Sequence, residues 1–272
     1  MVLLPFGTLG QALLAGALGR MIIGAGIAAT RAEEVFPPAL LEWPAPPPAA
    51  GQDQQELKQL LTQARRGTID LSRRIDSHPD SADLFRRRGI LYARLASYGQ
   101  ATPGQAVEDL TRAREKGSAA PGLDYELARA HLAALALTKA QASADAHLQQ
   151  QPTDARAYVL KASAELRRTK GEHVDHCRRA LADLNQALAL DSTLLAARMM
   201  RGYALAATDQ FPLAVADYRR ALAAAPQNPQ VHFFLAEALL GMNNAREACQ
   251  HLTLAEAFAP RTTKSYRKKH CR

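Results

Sequence analysis

The sequence predicts an all-α solenoid built from antiparallel helix pairs. A small residue, a large residue four positions on and a small residue three further recur, most clearly as Ala214, Tyr218 and Ala221. Five copies are present, their leading residues separated by 34, 40, 34 and 34 positions; they begin at Ala106, Ala140, Ala180, Ala214 and Ala248. A helix breaker follows several copies, for example Pro226. A fixed period near 34 residues indicates stacked two-helix repeats.

The first helix of each pair is marked by a further small residue. It stands twelve positions before the leading alanine at Ala128, Gly202 and Ala236, but 17 and 18 positions before it at Gly89 and Ala162. The first and third copies therefore have longer inter-helix loops, predicted at residues 97–104 and 169–176. The predicted repeats are residues 82–120, 121–154, 155–194, 195–228 and 229–262.

The flanks of the repeats are less regular. Residues 53–79 predict a divergent additional helix pair, with Gly67 echoing the repeat frame, as expected for a terminal unit that covers the core. No capping helix is predicted after Pro260, so residues 263–272 are expected to be a basic tail. The predicted solenoid then spans residues 53–262.

These repeats resemble the tetratricopeptide repeat family. The resemblance rests on Gly202, Ala214, Tyr218, Ala221 and Pro226 and on the weaker copies, and it covers about two-thirds of the chain. It implies a right-handed superhelical solenoid whose concave groove is formed by the first helices. It also implies a non-enzymatic scaffold that binds another protein and assembles or stabilises a complex. The large apolar residue usual before the small one is replaced by cations, whose stems should cover apolar surface while the charge reaches water; these are Arg88, Lys161 and Arg201.

The resemblance places twelve residues in the groove, running from a basic entrance to an apolar and aromatic end. They are Arg86, Ile90, Arg94, Tyr125, Arg129, Val159, Ser163, Arg167, Met199, Tyr203, Phe233 and Glu237. Such a surface suits a protein or peptide with an acidic portion and apolar anchors. The carboxylate clamp of some family members is not supported, because the positions of its asparagines are occupied by Ile90, Arg129, Ser163 and Tyr203.

The N-terminal 32 residues predict a membrane anchor or a signal segment. Residues 2–30 contain one charged side chain, Arg20, and are long enough to span a bilayer once. A cleaved secretory signal, a transit peptide and a mis-assigned start are the alternatives, so the protein is membrane-associated or exported and soluble. Residues 33–52 are proline-rich and predict a semi-rigid linker, or a recognition strip centred on Trp43.

Composition and motifs favour binding over catalysis. The formal net charge is +8, much of it in the C-terminal tail, whose attraction to anionic lipid or nucleic acid is an alternative to a solvated terminus. Scattered aromatic residues argue against nucleic acid, and no catalytic residue, cofactor or metal site is predicted. The alternative function is metal handling or enzyme assistance by the loop that contains His173, His176 and Cys177. The three cysteines show no obvious pairing and are expected to be free thiols.

Overall fold

The computed structural model describes residues 52–168 and 173–271, and these residues contain twelve α-helices and no β-strand. The first six are α1 Gln52–Ser77, α2 Ala82–Ser97, α3 Pro103–Glu115, α4 Leu123–Ala133, α5 Leu137–Gln150 and α6 Ala155–Leu166. The others are α7 His173–Leu190, α8 Leu195–Ala207, α9 Phe211–Ala224, α10 Pro229–Gly241, α11 Ala245–Leu254 and α12 Pro260–His270. The predicted all-α class is confirmed.

The described chain divides into two compact units, residues 52–164 and 165–271, with the boundary inside α6. In the first unit, α2 packs on α3 and α4 packs on α5 as successive helix pairs. One core cluster joins α1 to α4 around residues such as Phe85 and Leu110. A second joins α4, α5 and α6 around Leu132, Ala144 and Leu160.

The second unit contains the pairs α8–α9 and α10–α11, with α7 packed against α8 and α12 packed against α11. Its core is aromatic: the Phe233 ring lies 5.6 Å from that of Phe234 and 5.7 Å from that of Phe258, measured between ring centroids. In both units the leading alanines are at most 2% exposed. The repeat pattern therefore marks the positions where neighbouring helices meet, as the sequence predicts.

Two glycines at the small-residue position permit close helix crossings. A Cβ on Gly202 would lie 2.7 Å from Cε1 of Tyr218, and a Cβ on Gly89 would lie 2.8 Å from Cγ of Leu110. Both large residues are almost fully buried. An alanine could be accommodated at these positions only by displacing a packed side chain.

The cations that precede the small residues are held by aspartates. Arg201 donates from Nε and Nη2 to the two carboxylate oxygens of Asp217, each at 2.7 Å, and Arg88 binds both oxygens of Asp109 at 2.7 and 2.8 Å. The aspartate side chains are only 2% and 4% exposed. The side chains of Arg88 and Arg201 are 16% and 21% exposed, so they reach water only in part, and two charge-assisted bonds to a buried carboxylate hold each one inside a helix pair. Lys161 forms a more exposed pair with Asp145 at 2.8 Å.

The N-terminal flank is one continuous helix, so the predicted divergent pair is wrong. Gly67, interpreted as part of a second helix, lies within α1. Its missing Cβ makes room for Leu91, whose Cδ1 would lie 2.8 Å from an added Cβ. No proline interrupts the segment before Pro79. A glycine within a helix is tolerated where packing requires close approach.

The C-terminal flank also differs from the prediction, because a capping helix, α12, follows Ala259. Tyr266 stacks on Phe233 with a centroid distance of 6.1 Å, and its hydroxyl donates to Glu237 at 3.0 Å. A disulfide joins Cys249 of α11 to Cys271. The expectation of free thiols is wrong for this pair. The pairing was missed because Cys271 was expected to lie in an unstructured tail, whereas α12 places it beside α11. Cys177 is free and buried.

The predicted anchor and almost all of the proline-rich linker lie outside the described residues. No helix in the described part of the chain is both long enough and apolar enough to span a membrane. A loop is present where residues 97–104 were predicted to form one, although it is slightly shorter: α2 ends at Ser97 and α3 begins at Pro103.

Candidate functional site

The structure divides the twelve predicted groove residues by exposure. Arg94 is exposed, and six others are half-buried: Arg86, Ile90, Tyr125, Arg129, Tyr203 and Glu237. The remaining five are buried: Val159, Ser163, Arg167, Met199 and Phe233. Their side chains pack inside the protein, so the candidate surface is reduced to the exposed and half-buried members. That any of the twelve binds a partner stays a prediction.

In the first unit, arginines converge on a single carboxylate. Glu126 of α4 accepts a hydrogen bond from Nη1 of Arg129 at 2.9 Å. Burial raises the pKa of Glu126, whereas the nearby charges of Arg94, Arg156 and Arg86 act to lower it. Four guanidinium groups from three helices therefore lie around one acidic side chain. We call Arg86, Arg94, Arg129 and Arg156 the arginine cluster.

The members of the arginine cluster differ in how well they are neutralised. Arg86 donates to Asp83 at 2.8 Å, and Arg156 lies 3.3 Å from Asp154. Arg94 has no carboxylate within ion-pair distance among the described residues. It is therefore the cluster member whose charge is most available to an incoming anion.

Arg129 is the least exposed cation of the cluster, with 15% of its side chain accessible to solvent. Burial, followed by repulsion from Arg156, lowers the pKa of Arg129 to about 10. The side chain remains charged at neutral pH, although its charged form is less favourable than in water. An additional anion beside Arg129 and Arg156 would reduce this repulsion.

An aromatic ring and a small apolar depression adjoin the cluster. The guanidinium of Arg156 lies 5.3 Å from the ring centroid of Tyr125, a cation–π arrangement. Burial raises the pKa of Tyr125 to about 12, so its hydroxyl is neutral at physiological pH. Next to Arg129 the depression is lined mainly by alanines: Ala93, Ala96, Ala106, Ala130 and Ala133. Its lining suits a small apolar side chain.

The second unit offers less of the predicted groove. Phe233 is 1% exposed because Tyr266 of α12 covers it, and Glu237 accepts that tyrosine's hydroxyl. The hydroxyl of Tyr203 lies 3.3 Å from Nε2 of His173. The expectation that Phe233 anchors a partner does not fit this packing: replacing it would disturb the core before it disturbed a surface.

The histidine–cysteine segment forms the start of α7, not a loop. His173 and Cys177 contact each other at 3.3 Å, from Nε2 to Sγ, and burial raises the pKa of Cys177 to about 12. Nδ1 of His176 lies 2.8 Å from Oε2 of Glu165 and 2.6 Å from Nη2 of Arg179. Within the described residues no three histidine, cysteine or acidic side chains are grouped to hold a metal. The buried thiol is poorly suited to ligation, since a ligand must be deprotonated.

Two residues of the candidate surface were missed by the sequence reasoning. Glu126 and Arg156 do not occupy predicted groove positions, yet they set the charge balance of the cluster. A usable signal existed, because Glu126 lies three residues before Arg129, a spacing that brings helical side chains together. The position of Arg156 over Tyr125 depends on how consecutive helix pairs stack.

Comparisons with known proteins identify the fold. No protein-family model matches the chain, and neither does any curated protein. Among solved structures, TTC0263, a thermophilic TPR protein in Thermus thermophilus, has a TM-score of 0.51 at 22% identity, over 70% of this chain and 97% of that one.

Two further structures support the same conclusion. YrrB, a TPR protein with an unusual peptide-binding site, has a TM-score of 0.54 at 16% identity, over 73% of this chain and 97% of that one. The APC/C hetero-tetramer Cut9–Hcn1 has a TM-score of 0.62 at 14% identity, over 78% of this chain and 40% of that one. The chain therefore has the fold of these tetratricopeptide repeat structures.

Proposed function

We propose that this protein is a non-enzymatic interaction scaffold that binds an acidic protein segment at the arginine cluster and helps to assemble or stabilise a complex. The observation that carries the proposal is Arg94, exposed and without a carboxylate partner among the described residues, beside three further guanidinium groups. Clustered cations attract anionic ligands over a distance and increase the association rate. The alternative is that these inner-helix side chains face solvent and bind no partner.

The ligand's chemistry follows from the surroundings of the cluster. A carboxylate would be attracted to Arg94 and Arg156, while a small apolar side chain would fit the alanine-lined depression beside Arg129. Tyr125 adds a neutral aromatic surface. The preferred ligand is therefore a peptide with acidic residues close to an alanine or a similarly small side chain, and not a uniformly acidic chain.

Selection from a random peptide library tests this proposal even though the natural partner is unidentified. The full-length protein should enrich peptides that combine aspartate or glutamate with a small apolar residue. The Arg94→Glu variant should lose this enrichment and bind the selected peptides about 10-fold more weakly, a change of about 1.4 kcal/mol. Added salt should weaken wild-type binding, because the attraction is between exposed charges.

The matched control is Arg66→Glu, which makes the same charge change at an exposed position of α1. It should leave peptide binding unchanged. Enrichment of neutral or basic peptides, or equal losses in Arg94→Glu and Arg66→Glu, would refute the assignment of the arginine cluster. Circular dichroism of both variants verifies that the helices are retained.

We also propose that residues 2–30 associate with a membrane in the uncleaved protein and that the proline-rich segment separates the repeats from it. The support is the long stretch with a single charged residue, Arg20. Membrane fractionation combined with mass spectrometry of the N-terminus tests this. Full-length protein with an intact N-terminus should sediment with membranes. Recovery in the supernatant would contradict the anchor, and an N-terminus near residue 30 would identify a signal peptide.

A further inference from the structure

Helix α12 has two opposite faces of different chemistry. Thr263 and Tyr266 are buried, and they lie on the side that packs on the last helix pair. At 100° per residue, Arg261, Lys264 and Lys268 lie on the opposite side, within about 60° of one another. All three are exposed. We call Arg261, Lys264 and Lys268 the cationic row.

The cationic row is held in place by the packing of α12. The ring of Tyr266 stacks on Phe233, its hydroxyl bonds Glu237, and the disulfide to Cys249 fixes the chain just beyond the helix. The row is thus displayed on a folded helix that needs no ordering when it binds. A preorganised surface avoids the entropic cost of folding on binding.

The charges of the row are not neutralised within the described part of the chain. No carboxylate there lies within ion-pair distance of Arg261, Lys264 or Lys268. On the same helix, Nη1 of Arg267 lies 3.6 Å from Oε2 of Glu256. The exposed Lys269 adds to the positive charge at one edge of the row. A solvated helix face would normally mix both signs of charge.

We propose that the cationic row of α12 binds the surface of an anionic lipid bilayer. Lysine ammonium groups on flexible stems act as point charges, which suits the diffuse charge of many headgroups better than a single shaped anion. The row carries no outward apolar side chain, so α12 lies on the headgroups and does not insert. The choice of lipid also rests on the proposal that residues 2–30 bring the chain to a membrane.

Nucleic acid fits the same surface less well. Tyr266 of α12 is buried, and the half-buried ring of His270 lies 6.4 Å from the Tyr266 ring between centroids, so α12 presents no fully exposed ring on which a base could stack. The outward positions also carry no asparagine or glutamine for contacts with base edges. What remains is attraction to phosphates, which a bilayer supplies as a continuous surface.

Lysine acylation measured by mass spectrometry tests the proposal on the full-length protein. The protein is incubated with vesicles of phosphatidylcholine alone or of phosphatidylcholine with phosphatidylglycerol, and reaction rates are compared lysine by lysine. Lys264 and Lys268 should react several-fold more slowly on the anionic vesicles only. Lys58 and Lys139, which are exposed on other helices, should react equally on both.

A charge-reversal variant identifies the row as the cause. In the wild-type protein Lys269, at the edge of the row, should also react more slowly on anionic vesicles. In Arg261→Glu/Lys264→Glu/Lys268→Glu, Lys269 should lose this protection. The preference for anionic over neutral vesicles should fall by about 5-fold for each cation replaced. The control reverses three exposed arginines of α1, Arg65, Arg66 and Arg73, and should keep both. Circular dichroism verifies the fold of each variant.

The outcomes separate this proposal from that of the N-terminal segment. Binding to neutral vesicles depends on residues 2–30 and not on the row. If the wild-type protein binds anionic vesicles but not neutral ones, the anchor is refuted and the row is not. Equal acylation of Lys264 on both kinds of vesicle, or an equal effect of the α1 control, would refute the row. Protection by duplex DNA but not by anionic vesicles would likewise refute the lipid assignment and identify a nucleic-acid surface.

Discussion

Removal of Asp217 is expected to destabilise the protein more than removal of its partner Arg201, and removal of both is expected to restore part of the loss. Asp217 is 2% exposed and lies within 2.7 Å of two nitrogens of Arg201 and 3.6 Å from Nη1 of Arg198. The perturbations are Asp217→Leu, Arg201→Met and the double variant. Both replacements are apolar: leucine matches aspartate in size, and methionine keeps an unbranched stem in place of that of arginine.

The magnitudes follow from what each variant leaves behind. Asp217→Leu leaves two arginines facing an apolar side chain, at a cost of about 3–5 kcal/mol. Arg201→Met leaves a buried carboxylate, but Arg198 can still neutralise it, so the cost should be nearer to about 2 kcal/mol. The double variant removes the main pair together and should be about 1–2 kcal/mol more stable than Asp217→Leu alone. These values correspond to a coupling energy of about 3–4 kcal/mol.

Urea unfolding followed by far-UV circular dichroism measures these differences, with the slope of the transition checked because repeat proteins can unfold in parts. The control pair is Arg112 and Glu108, which are 49% and 60% exposed on α3 and should show a coupling of about 0.5 kcal/mol or less. A double variant whose loss equals the sum of the single losses would show that Arg201 and Asp217 do not act as a pair.

Three other changes have expected outcomes. Gly202→Ala should lower the free energy of unfolding by about 1–3 kcal/mol because its Cβ would press on buried Tyr218, whereas Gly104→Ala, with no atom within 4 Å of the added Cβ, should stabilise by up to about 1 kcal/mol; equal urea midpoints would contradict this. Cys271→Ser should lower the free energy of unfolding by about 2–4 kcal/mol and match reduced wild type, and no change on reduction would mean that the disulfide contributes nothing. Acidification from about pH 7.5 to 5.5 should lower the urea midpoint, because burial lowers the pKa of several histidines in the folded state and the unfolded chain then binds protons more strongly below about pH 6.5; a midpoint that rises would contradict it. These histidines are His131, His173 and His251.

The repeated elements were predictable because their packing is periodic. The five leading alanines are all at most 2% exposed, so one spacing rule locates the buried position of each repeat. The flanks obey no such rule. Gly67 was interpreted as the small residue of a second helix, but it lies within the single helix α1, where it makes room for Leu91. Helix α12 was missed because its sequence is dominated by charge, and its docking depends on Tyr266 and Cys271, whose partners lie on other helices.

The candidate surface was only partly predictable, because position in a repeat does not determine exposure. The repeat frame places Arg94 and Phe233 in the same groove, yet one is exposed and the other is covered by α12. The frame also omits Glu126, which lies near enough to three arginines for their charges to act on its pKa. Side chains from neighbouring helices decide these properties, and a single sequence does not specify their relative positions.

Net charge is a poor guide to where this protein attracts anions. Of the +8 formal charge, none arises from the arginines inside the helix pairs, because Asp109 and Asp217 neutralise Arg88 and Arg201. The effective positive charge belongs to side chains without such partners, and Arg94 and the cationic row of α12 are among them. Both attractions should weaken with salt, so salt dependence alone cannot distinguish them. The specificity of each surface does distinguish them. Reversal of the Arg94 charge should change which peptides bind and leave lysine protection on vesicles intact. Reversal of the cationic row should abolish that protection and leave peptide binding unchanged. A variant that altered both would show that the two surfaces act as one.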